Sequence, residues 1–173
     1  MKIWILATLI LACTKENITT ENSNDEMYSK ALVGKWKAVS LFLSDATTGV
    51  CHQNKPNKDI TFEFDNQINE DKTSFSFSGQ APVNRYFGNI TFKGFDSEKK
   101  KGLIKITGLG GTKMAGSPEM MDCEQNFYAM ISESTGFQLF ADDPNRLHIG
   151  KLKDENSHSR DGGTYYVFER ISK

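Results

Sequence analysis

Few residues in this 173-residue chain have the types and spacing to do chemistry. The glycine-rich run Gly108-Leu109-Gly110-Gly111-Thr112-Lys113 follows a β-branched segment and precedes a helix signal, where a backbone cradle and a helix N-terminus could hold a phosphate. The order of residues argues against it. A Walker loop needs Lys-Ser/Thr after its second glycine, whereas Gly116 is followed by Ser117, and Lys113 occupies the last place of a would-be Gly-x-Gly-x-x-Gly. A tight backbone crossing is expected there instead. Of the three histidines, only His52 sits beside another metal donor, Cys51, and no further ligand spacing follows. His148 falls within the alternation of Arg146-Leu147-His148-Ile149, as a sheet histidine would. Asp142-Asp143-Pro144-Asn145 reads as a turn, and no Ser–His–Asp or Cys–His arrangement can be assembled. No catalytic residue, metal ligand or cofactor is expected.

The elements that would position any site are short strands around one helix. Ser117-Pro118 is a helix start, with a capping hydroxyl and a proline whose missing N–H has no partner to lose. Glu119, Asp122 and Glu124 follow in the first two turns, where negative charge meets the positive end of the helix dipole. Met120, Cys123, Phe127 and Met130/Ile131 recur at spacings of three and four, giving one apolar stripe on a helix over 117–134 that Gly136 ends. Residues 34–44, 60–64, 74–79, 84–95, 104–107, 137–140, 146–152 and 164–171 read as strands, with a bulge or bend at Gly88 and a break at Gly108. The fold class expected is α+β, a strongly bent antiparallel sheet or open β-barrel of about eight short strands packed around the helix. Hydrophobic residues make up 38% of the chain, with 12 Phe, 5 Tyr and 2 Trp, which suits an aromatic β core. The net charge of −1 gives no general nucleic-acid signal, and no nucleic-acid partner is expected.

The stretch from Ile104 to Ile131 also resembles the core signature of the META domain, the module of heat-shock-inducible HslJ-type envelope proteins. In that signature a strand leads to Thr-Lys/Arg-Met-Ala, and a helix with Glu then Phe follows. The matching residues are Thr112, Lys113, Met114, Ala115, Glu124 and Phe127. Where the family often has Cys after Met-Ala, this chain has Gly116. Upstream, residues 34–40 are similar to the family's opening strand, and Asn84, Tyr86 and Gly88 are similar to its Asn-x-Tyr/Phe-x-Gly segment. The resemblance implies a META-like domain over 32–173, with Asn84, Tyr86, Gly88, Thr112, Lys113, Met114 and Glu124 as its motif and binding candidates.

Residues 1–12 have a lysine and then an apolar run too short for a stable membrane span, and they read as a signal peptide. The run ends Ile10-Leu11-Ala12-Cys13, which resembles a bacterial lipobox, although Leu11 is bulkier than usual. That implies lipidation at Cys13 and a protein moored by acyl chains to the outer membrane of a bacterial envelope, on its periplasmic or surface face. Residues 13–31 are polar and read as a tether. With Cys13 allotted to lipid, Cys51 and Cys123 remain as an even pair in an oxidising compartment. A disulfide between them is expected; the alternative is two free thiols, Cys123 being a small core residue.

Two functional expectations follow. The first is a non-catalytic envelope module, stress-related or envelope-stabilising, whose membrane partner is reached through the N-terminal lipid. It binds an envelope protein or small ligand through residues 108–116, 84–88 or 153–163. The second starts from Gly34-Lys35-Trp36, which resembles the Gly-x-Trp opening of lipocalins and implies a carrier of a small hydrophobic ligand.

Overall fold

Alternating side chains account for the first strands. Phe62 and Phe64 alternate with polar residues, as do Phe75 and Phe77, so each segment has one apolar face to bury. They form β3 (Thr61–Ile68) and β4 (Phe75–Gln80). The structure is a computed structural model, and it describes residues 30–51, 56, 58–71, 73–153 and 161–172. The other described strands are β1 (Gly34–Leu43), β2 (Ala46–Thr48), β5 (Arg85–Asp96), β6 (Lys101–Gly111), β7 (Gly136–Leu139), β8 (Arg146–Leu152) and β9 (Gly163–Ser172). Helix α1 (Pro118–Ser132) lies between β6 and β7.

All pairings are antiparallel, from β1 to β3 and then in chain order to β9, and β9 pairs back onto β1. The strongly bent sheet therefore closes into a ring of eight strands, which are the eight read from the sequence. The ninth, β2, pairs with β1 through Leu41↔Thr48. It has only three residues, too few to show a period in the sequence. Inside the ring, aromatic rings pack against one another. Phe62 lies 5.3 Å from Phe77 and 6.1 Å from Phe168, and Phe64, Phe75 and Phe92 form a second cluster.

One local expectation is sharpened and two need correction. The irregularity read at Gly88 falls there, but its extra residue is on the partner strand: Phe87↔Gly110 is followed by Asn89↔Thr107, with Gly108 of β6 as the extra residue at φ 62°. Glycine adopts that left-handed conformation without steric cost. Second, the strand does not break at Gly108 but runs to Gly111, since β5 supplies hydrogen-bonding partners along that length. Third, α1 stops before Gly136: Glu133 is the C-cap, its N–H donating back to Ala129, and Gly136 already belongs to β7. The start is as read, with Ser117 as N-cap and Pro118 opening the helix.

The ring has two differently closed ends. Along β9 the inward residues run from Tyr166, 5.3 Å from Phe127 of α1, through Phe168 to Arg170, whose guanidinium lies 3.9 Å over the Trp36 ring. The helix covers one end. Trp36 and the residues before it cover the other.

Candidate functional site

Helix α1 presents an unusual face to the sheet. Its buried positions are Met120, Cys123, Glu124, Phe127 and Ile131, so a carboxylate sits among the apolar residues and is only 3% exposed. A buried charge is tolerated only when it is well hydrogen-bonded. Glu124 accepts three hydrogen bonds, all from the turn between β4 and β5: from the Val83 N–H at 2.9 Å, the Asn84 N–H at 2.7 Å and Asn84 Nδ2 at 2.7 Å. The helix dipole alone therefore does not explain Glu124.

Asn84 carries the link onward. Its Nδ2 also donates to the Met114 carbonyl at 3.2 Å, and its Oδ1 accepts from the Met114 N–H at 2.7 Å and from Thr112 Oγ1 at 2.9 Å. Thr112 Oγ1 in turn accepts from the Arg85 N–H at 3.1 Å. The turn itself is held from behind by Gln80, whose Nε2 donates to the carbonyls of Ala81, Val83 and Asn84. One asparagine, 2% exposed, thus joins helix, turn and the segment leaving β6.

The candidates separate into fasteners and display. Asn84, Glu124 and the Thr112 hydroxyl come together in one network. Lys113 and Met114, between them in sequence, are solvent-exposed, Met114 by 50%. Its backbone is gripped at both N–H and carbonyl while its side chain stands in water. Tyr86 is buried, donates to the Thr61 carbonyl at 2.7 Å, and has its pKa raised well above the ordinary value chiefly by burial. Gly88 leaves room for a core ring, since a Cβ there would meet Phe77 Cζ at 2.7 Å. Gly116 likewise lies against Val83, where a Cβ would come within 2.6 Å of Cγ2, so a side chain has no space.

Cys51 and Cys123 are joined in a disulfide, with Cα atoms 5.2 Å apart and a sequence separation of 72. It fixes the helix one residue before Glu124. One turn further on, Tyr128 is pushed up to about 12, by burial first and then by the Glu124 charge. His148 is the sheet histidine expected. It stacks 4.5 Å from Tyr165 and meets Phe140 edge-on at 4.6 Å, and burial, with Arg146 second, lowers its pKa to about 4. Among the described residues, no group of three or more His, Cys, Asp or Glu could hold a metal ion. Cys13, His52 and His158 lie outside the described residues, as does most of 153–163.

Sequence reasoning missed one surface feature. Phe87 is 57% exposed on the outer face of β5 beside a groove, with the outward serines of β4 below it. The Ser-Phe-Ser-Phe-Ser alternation of residues 74–78 signals it, since outward serines leave space where larger residues would fill it.

Comparison with known proteins agrees with the geometry. A family model described as META domain matches residues 29–159, more than half of the chain. An NMR structure of a protein from Burkholderia xenovorans is similar at a TM-score of 0.53, with 19% identity over 86% of this chain and 89% of that one, a likeness of fold. No curated protein matches the chain. Among the described residues no helix is long and apolar enough to cross a membrane.

Proposed function

We infer a function from one premise, that the chain belongs to the META-domain family. It is a non-catalytic binding module of the bacterial envelope, stress-related or envelope-stabilising, moored by lipid on Cys13. Its working surface is the segment between β6 and α1. One observation carries this reading: Asn84 grips both the N–H and the carbonyl of Met114, whose side chain stays 50% exposed. A long side chain on a fixed backbone loses less conformational freedom on meeting a partner than one on a mobile loop. Lys113 beside it adds a charge, so the pair offers an apolar contact and a cation on one rigid step.

The packed interior favours surface binding over carriage of a hydrophobic ligand. Tyr86, Phe127 and Tyr166 sit ring to ring at 5.2 and 5.3 Å, where a carrier would keep space. Photo-crosslinking in intact envelopes tests the reading. A photoreactive residue at position 113 is expected to give a discrete adduct, and one at Gln67, on β3, none. Equal labelling at both positions, or none at 113, contradicts it. Cys13→Ala is expected to abolish palmitate incorporation; retained label removes the lipid anchor from the account.

A further inference from the structure

The outer face of the sheet carries a second feature, separate from the Lys113–Met114 step. Strand register aligns five residues across five strands: Lys35↔Glu63, Glu63↔Ser78, Ser78↔Phe87 and Phe87↔Gly110. The two smallest of these flank the largest. Phe87 lies over Gly110, where a Cβ would stand 3.2 Å from two of its ring carbons, so a bare backbone lets the ring rest on β6. On the other side of Phe87 is a groove of about 420 Å³ lined by Ser76, Ser78, Lys35, Glu63 and Asp65. Lys35 and Glu63 are paired at 2.7 Å, and both are partly exposed. The groove opens where β3 leaves the register of β4: Phe64↔Phe77 is followed by Ile68↔Phe75, with Asn66 between at φ 64°.

We propose that this groove is a binding site for a neutral saccharide, with Phe87 as its stacking platform. The volume lies in the range of small-ligand sites. An anion is disfavoured because Lys35 is offset by Glu63 and Asp65 adds a second carboxylate. A purely apolar ligand would strip water from the ion pair and the serine hydroxyls without replacing it. A sugar ring answers both surfaces. Its axial C–H face lies on the electron-rich face of Phe87, and its hydroxyls donate to Glu63 and accept from Lys35 and Ser78. The groove is open to solvent, so the expected Kd is of the order of 1 mM.

Saturation-transfer NMR on the full chain tests this, with maltotriose and chitotriose as probes at about 10 mM. Wild type is expected to transfer saturation to ring protons of at least one probe. Phe87→Ala should weaken that binding at least about tenfold, and Phe87→Trp, which restores a larger platform, should keep it. Both substitutions are on an exposed side chain, and unchanged thermal midpoints verify folding. No transfer to either probe in wild type, or equal transfer in Phe87→Ala, overturns the proposal.

Discussion

The two ends of the ring are closed by different means. At the helix end, α1 is tied by a disulfide at Cys123 and by three hydrogen bonds to the adjacent Glu124. At the far end, Trp36 is fully buried, its Nε1 donates to the Leu32 carbonyl at 2.8 Å, and Arg170 lies over the ring. Arg170 also donates to the carbonyls of Val33 and Ala31, and burial lowers its pKa. The Trp36 end rests on an indole, one local hydrogen bond to Leu32, and a guanidinium from β9 that reaches carbonyls 137 and 139 residues away. The helix end relies on polar and covalent links between segments about 40 or 72 residues apart. The lesson is one of burial. The Glu124 carboxylate is 3% exposed and depends on every donor it has, whereas the Arg170 guanidinium keeps some contact with water and loses partners at less cost.

Substitutions at the two ends should therefore differ in size. The largest effect is expected from Asn84→Asp, which sets a second carboxylate 2.7 Å from Glu124 Oε1 and removes a donor to Met114. An uncompensated buried charge costs up to about 5 kcal/mol, enough to unfold a domain of ordinary stability. The sign with pH is fixed. Repulsion raises the pKa of the introduced carboxyl in the folded state, so the deficit against wild type is full at neutral pH and shrinks as pH falls towards 4 and that carboxyl takes up a proton. Urea denaturation at pH 7 and pH 5 checks both size and direction.

Next is the double substitution Cys51→Ala/Cys123→Ala, which opens a 72-residue loop and in the chain-entropy model costs about 4 kcal/mol. Calorimetry of oxidised wild type beside the double variant measures it, and a shift below 1 kcal/mol would make the bridge a bystander to the hydrogen-bond network. At the Trp36 end, Arg170→Met keeps an apolar side chain at that position and loses the cation over the indole and its donors, for about 1–2 kcal/mol. A cost there equal to that of Asn84→Asp would erase the contrast between the ends.

Much of the fold is legible in the sequence, for physical reasons that also mark the limit. Phe62/Phe64 and Phe75/Phe77 show their faces because the period of a strand is two, and Ser117-Pro118 shows a helix start because capping chemistry is local. Counting leaves Cys51 and Cys123 as an even pair once Cys13 is set aside, and the structure joins them. The Glu124–Asn84 link is hidden for the opposite reason. It joins residues 40 apart in sequence, and a glutamate in the second turn of a helix is already explained by the dipole. The role of Gly110 is hidden too. Bare backbone there serves an exposed ring outside the sheet, so Gly110→Val is expected to displace Phe87 more than it damages the core.

The central claim is that a buried network fixes the backbone of a residue whose side chain is offered to a partner. Amide hydrogen exchange at Met114 tests it most directly. The N–H donates at 2.7 Å to an asparagine that is 2% exposed, so its exchange should be slowed well below the rate of a free loop amide and should accelerate in Asn84→Ala. Exchange of the Met114 amide in wild type at the rate of an unprotected loop would contradict the account.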